Sequence, residues 1–202
     1  DLIFSWYKNK KKSSIIKKQE NETAALNFLE KKFDGLKTNN IKILYDMGGI
    51  YKSFEKYDEA IKIYSKLLDL LDNRSKAYAD ILYRRGGSFE RIGDYETADK
   101  DLLDSLNITR ENPYVLNYLA YSWLERNYKI ELSMEMLKEA YDLRKNDPYI
   151  TDSLGWGYYL INDFENAEKY LKKAVELMPY DPIVNDHYGD ILWMLKRKIQ
   201  AR

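Results

Sequence analysis

Apolar and polar positions alternate along this chain with the period of a helix, and one helical pattern returns several times. In YDEAIKIYSKLLDL (57–70), DYETADKDLLDSL (94–106) and FENAEKYLKKAVEL (164–177) an aromatic stands three residues before a small residue, Ala60, Ala98 or Ala167, after which apolar residues follow at helical spacing. Twelve residues before each alanine is a glycine, Gly48, Gly86 or Gly155, and three residues after each glycine is a further aromatic, Tyr51, Phe89 or Tyr158. A constant offset across three blocks predicts a repeating helical hairpin. Helix A carries the glycine and helix B the alanine opposite it, because only small residues let two backbones approach closely where they cross. Asn-Pro at 112–113 and Asp-Pro at 147–148 and 181–182 mark junctions, since proline costs nothing in the first helical turn, where its missing N–H has no partner to lose.

With the small residue at position 20 of a 34-residue frame, repeats fall at 41–74, 79–112 and 148–181. The stretch 113–147 fits with one extra residue, Leu119, Ala120 and Trp123 in step and Ser133 in the alanine place. A last unit from Pro182 keeps Tyr188, Gly189 and Leu192 in phase and reaches Ala201 at position 20, where the sequence is expected to stop in mid-helix, a truncated repeat. These spacings resemble the tetratricopeptide repeat, a period of about 34 residues. The resemblance implies an all-α fold, a right-handed α-solenoid of stacked helix-turn-helix units, over 41–202. One unit cannot bury its apolar face, so stability comes from neighbours stacked on one another. Residues 1–40 read as a degenerate N-terminal helical hairpin, helix A over 4–19 and helix B over 21–36.

Charge and composition narrow the function. The 202 residues balance 33 basic against 33 acidic side chains, which argues against a whole-chain grip on nucleic acid or anionic lipid, so any charged surface is expected to be local. Residues 1–40 carry +4 and the remainder −4; the KNKKK run at 8–12 is read first as a solvated helix face, with phosphate or anionic lipid as the alternative. Cysteine is absent and His187 is the single histidine, so thiol chemistry, a two-histidine metal site, an HExxH helix and a catalytic triad with histidine as base are not expected. Next to Asp186, His187 reads as a packed or capping residue. No catalytic residue, metal or cofactor is expected, and no apolar run approaches the length of a membrane span.

More narrowly, NPYVLNYLAYSWLER, NDPYITDSLGWGYYL and DPIVNDHYGDILW resemble a Gram-negative bacterial group of tetratricopeptide proteins. That resemblance implies a periplasmic or membrane-anchored protein, with the cytoplasm as alternative, and an adaptor whose partner is a protease or envelope enzyme.

Within the family, ligands contact helix A, chiefly at positions 2, 5, 9, 12 and 13. These positions give Tyr45, Gly49 and Lys52 in the first repeat and Tyr83, Gly87, Glu90 and Arg91 in the second. Later repeats give Asn117, Tyr121, Asp152, Trp156, Tyr159, Asp186, Asp190 and Trp193, an aromatic groove edged by acid and the expected protein-binding site. Trp156 and Trp193 lie off the apolar stripe of positions 4, 8 and 11, whereas Trp123 is expected in the core. The family's clamp for terminal carboxylates is missing, with Tyr45 and Gly49 where its first lysine and asparagine belong. The expected function is a non-catalytic scaffold or adaptor holding a protein or peptide segment. The alternatives are a regulatory or substrate-presenting region of a larger enzyme and, last, an RNA-binding repeat, which would need basic inner positions. End-to-end self-association through the truncated last unit is a further expectation.

Overall fold

The structure is a computed structural model that describes residues 1–200, without the side chains of residues 35 and 36; Ala201, expected at position 20 of the last unit, lies outside the described residues. Among the described residues there are eleven helices and no strand. They are α1 (Leu2–Gln19), α2 (Glu22–Leu36), α3 (Ile41–Ser53), α4 (Tyr57–Leu70), α5 (Lys76–Arg91), α6 (Tyr95–Ile108), α7 (Pro113–Glu125), α8 (Ile130–Leu143), α9 (Pro148–Leu160), α10 (Phe164–Leu177) and α11 (Pro182–Met194). The chain forms two compact units, Asp1–Ile108 and Thr109–Arg202.

Caps and turns keep the hairpins in phase. Asn112, Asp147 and Asp181 each accept from the second and third amides of the helix that follows, with proline at its first position. Position 15 of every unit is left-handed: Glu55 (φ 58°), Gly93 (83°), Asn127 (54°), Asn162 (62°) and Lys196 (62°). The amide at position 16 then reaches back to the carbonyl at position 11, as from Lys56 to Tyr51 (2.9 Å), Asp94 to Phe89 (3.0 Å), Tyr128 to Trp123 (2.8 Å), Asp163 to Tyr158 (2.9 Å) and Arg197 to Leu192 (2.9 Å). This is the helix-ending turn that a left-handed residue permits. The extra residue of 113–147 is absorbed in that turn, where Lys129 is a second left-handed residue (φ 45°) before α8.

In the first unit, α1 and α2 share one core with the helices that follow. Trp6, Leu26 and Leu29 pack with Ile43, Leu44 and Met47 of α3 and Tyr64 and Leu67 of α4. The Trp6 indole N–H also donates to Asp46 Oδ2 (3.2 Å). A polar clamp ties α5 to α6: Arg85 holds Asp101 through Nε (2.7 Å) and Nη2 (2.8 Å) and Ser65 of α4 through Nη1 (3.0 Å).

The second unit lays α7, α9 and α11 side by side, with α8 and α10 packed against them. Trp123 is buried, as are Ser133 in the alanine place and Ala140. The repeat glycines differ from the simplest expectation. A side-chain carbon on Gly48, Gly86 or Gly155 would meet the residue four past the alanine, at 2.5 Å from Tyr64, 3.0 Å from Leu102 and 2.8 Å from Leu171. Helix side chains lean toward the N-terminus, so the residue one turn after the alanine covers the crossing point. Gly157, which the repeat pattern did not single out, faces the preceding hairpin, where a side-chain carbon would lie 2.8 Å from Met134 Sδ. Gly49 has open space around it.

Candidate protein-binding face of the second unit

The sequences of α7, α9 and α11 contain no lysine or arginine. Their charges are Glu125 on α7, Asp152 on α9, and Asp186 and Asp190 on α11, with His187 as the one ionisable base. Helical spacing puts Asn117, Tyr121 and Glu125 on one face of α7 and Asp152, Trp156 and Tyr159 on one face of α9.

Hydrogen bonds and a ring stack tie these helices together. The Trp156 indole N–H donates to Glu125 Oε1 (2.7 Å), bridging α9 to α7. His187 Nδ1 lies 2.9 Å from Asp152 Oδ2, bridging α11 to α9. A carboxylate only accepts, so the proton of that bond sits on Nδ1. Trp156 is half-buried between two rings, Tyr159 at 4.6 Å and 11° and His187 at 4.1 Å and 13°.

Burial shapes the ionisation here. Desolvation is the largest influence on His187 and pulls its pKa down. The hydrogen bond to Asp152 and the charges of Asp152, Asp186 and Asp190 together outweigh it, so the ring sits above its ordinary 6.5. The Tyr121 hydroxyl is pushed up to about 12, first by burial and then by Glu125 and Asp152. Asp152 Oδ1 and Asn117 Oδ1 are buried acceptors that receive no hydrogen bond from the described residues.

The rest of the face is open. Asp186 and Asp190 are exposed, and Trp193 is 52% exposed with Lys198 Nζ 4.7 Å from its ring. The eight expected residues therefore divide. Asn117, Tyr121, Trp156 and Tyr159 are half-buried and Asp152 is buried, a polar and aromatic floor, while Asp186, Asp190 and Trp193 stand in solvent on α11. Among the described residues no group of three or more His, Asp or Glu side chains is placed to hold a metal ion, and no helix is long and apolar enough to cross a membrane.

Comparison with known proteins agrees with this architecture. The tetratricopeptide repeat family model matches residues 41–70 and 153–181. A TPR repeat-containing protein of Pseudomonas aeruginosa is 30% identical over 139 residues, 69% of this chain and 22% of that protein. The chain is a tetratricopeptide-repeat protein. It spans about a fifth of that relative's length. Among solved structures, the pilF protein of Pseudomonas aeruginosa superposes with a TM-score of 0.69 at 21% identity, over 80% of this chain and 72% of that one. The first TPR domain of Spaghetti, solved bound to an HSP90 peptide, superposes with a TM-score of 0.56 at 17% identity, over 60% of this chain and 96% of that domain. Tetratricopeptide repeats mediate protein–protein interaction.

In the tetratricopeptide frame, two members of the face were missed by sequence. Glu125 stands at position 13 of its repeat, a ligand-contact position, and Trp156 at position 9 of the next. His187 follows Asp186 at position 6 and meets Asp152 at position 5 of the preceding unit. The signal lay in comparing neighbouring helices A rather than in either helix alone.

Proposed function

We propose that α7, α9 and α11 form a docking face for an extended or helical segment of a partner protein rich in lysine or arginine, and that the chain acts as a non-catalytic scaffold. The observation that carries this is charge. Three adjacent helices hold four carboxylates and no lysine or arginine, in a chain whose formal net charge is zero. Such a field steers a basic segment and disfavours an acidic one. Tyr159 and Trp193 offer aromatic surface on which an arginine or lysine can lie, and aromatic anchors supply much of the energy at protein interfaces. The same charge speaks against RNA on this face. The related domain solved with a peptide supports the reading by fold alone.

An adaptor role, in which the bound protein is presented to a protease or envelope enzyme, is the finer form of this proposal. The chain's span of 22% of its Pseudomonas relative favours a second form, a partner-holding region within a longer polypeptide.

A peptide array probed with the full chain and with Asp186→Lys/Asp190→Lys tests the proposal. Basic peptides containing aromatics are expected to retain the wild-type chain and to lose the variant, more strongly at low salt. Selection of acidic peptides, or equal retention of the charge-reversed variant, would contradict it.

A further inference from the structure

The first unit carries a surface of opposite character. Helix α1 contains six lysines and no acidic residue between Leu2 and Gln19. Its buried side holds Trp6 and Ser13. On the opposite side Phe4, Lys8, Lys11, Ile15 and Lys18 follow one another at helical spacing and form a ridge about 21 Å long at 1.5 Å per residue. Phe4 is 72% exposed and Ile15 49%. Lys8, Lys11 and Lys18 have no carboxylate partner among the described residues, whereas Lys10 is held by Asp46 and Lys17 by Glu22.

Beside the ridge a cleft of about 360 Å³ opens between α1, α2 and α3. Leu29, Ile50 and Phe54 line it, with Lys10, Lys11 and Lys17 also on its wall. Lys10 and Lys17 are held by Asp46 and Glu22, so Lys11 is the wall lysine without a carboxylate partner among the described residues, and apolar lining beside it suits an amphiphile with an anionic head.

We propose that the α1 ridge and this cleft dock the first unit on a membrane surface rich in anionic phospholipid, with Phe4 and Ile15 entering the headgroup layer and Lys8, Lys11 and Lys18 meeting phosphates. Both halves of the ridge argue for lipid over other polyanions. Lysines alone would serve any phosphate array, but exposed apolar side chains between them gain nothing from a bare polyanion and gain where there is an acyl boundary to enter. Each lysine near an anionic surface strengthens binding about fivefold.

The test is sedimentation of the full chain with vesicles of phosphatidylcholine alone or mixed with phosphatidylglycerol. Binding is expected only to the mixed vesicles and to weaken as salt rises. Lys8→Glu/Lys11→Glu is expected to reduce it by more than about twentyfold, and Phe4→Ser by about tenfold. All three positions are exposed, and unchanged circular dichroism and melting confirm the fold of each variant. Lack of binding to phosphatidylglycerol vesicles at low salt would overturn the proposal. So would equal binding by the lysine variant. Loss with the lysine variant but full binding by Phe4→Ser would also overturn it, assigning the ridge to polyanions in general.

Discussion

His187 and Asp152, 35 residues apart in sequence, pair through Nδ1 and Oδ2 at 2.9 Å and join α11 to α9 beneath the face of Trp156. Because the pKa of His187 in the folded chain lies above its ordinary 6.5, the pair stabilises the fold fully at pH below about 6.5, and that contribution is lost as pH rises through the folded value. Urea unfolding of wild type and His187→Gln between about pH 5.5 and about pH 8.5 measures this. The wild type's advantage is expected to shrink as pH rises; an advantage that grows with pH would contradict the assignment.

Trp156 and Trp193 are expected to separate in stability. Trp156 stacks on two rings and bonds Glu125, so Trp156→Ala is expected to cost about 2 kcal/mol in unfolding free energy. Trp193 is 52% exposed, and Trp193→Ala is expected to stay within about 0.5 kcal/mol of wild type. Equal losses would mean that the two indoles share one environment.

Two glycines in equivalent helices should respond with opposite sign to alanine. At Gly155 the new carbon meets Leu171 Cγ at 2.8 Å and the Leu171 backbone nitrogen at 2.9 Å, and a backbone atom cannot swing aside. Gly155→Ala is expected to cost about 1–3 kcal/mol. Gly49 sits inside α3 with nothing within 4 Å of the added carbon, so Gly49→Ala is expected to stabilise by about 0.5–1 kcal/mol. Thermal melts of both variants decide the pair.

In the first unit, Asp101 is 2% exposed and relies on the two-pronged grip of Arg85. Removing one partner leaves a buried charge uncompensated, so Arg85→Ala is expected to cost about 3–5 kcal/mol. Arg85→Lys keeps the charge but loses the planar fork and should fall between. Chemical denaturation of both variants checks the order; Arg85→Lys as damaging as Arg85→Ala would show that geometry alone matters.

The hairpin phase was legible because it is written in residue size and turn chemistry. Glycine at position 8, alanine at 20 and the cap before each junction proline are local requirements, and the structure keeps position 15 left-handed in all five units whether it is Gly93, Asn127 or Lys196. What the period did not carry is how one helix A meets the next. Trp156 looked free because position 9 leaves the apolar stripe, yet it is bounded by His187 from the following unit and bonded to Glu125 from the preceding one. Similarly, Gly157 owes its smallness to Met134 of the previous hairpin. These contacts depend on the offset between stacked units, which no single repeat contains.

On the proposed reading, the acidic, aromatic face of α7, α9 and α11 takes a basic segment. The chain's four tryptophans allow a direct measurement, since Trp6 and Trp123 are buried while Trp156 and Trp193 belong to the face. Indole N–H resonances of the full chain, followed by NMR during titration with a lysine- and arginine-rich peptide containing aromatics, should shift for Trp156 and Trp193 and hold still for Trp6 and Trp123. Shifts confined to Trp6 or Trp123, or no indole shift at saturating peptide, would rule out binding of a basic segment on this face.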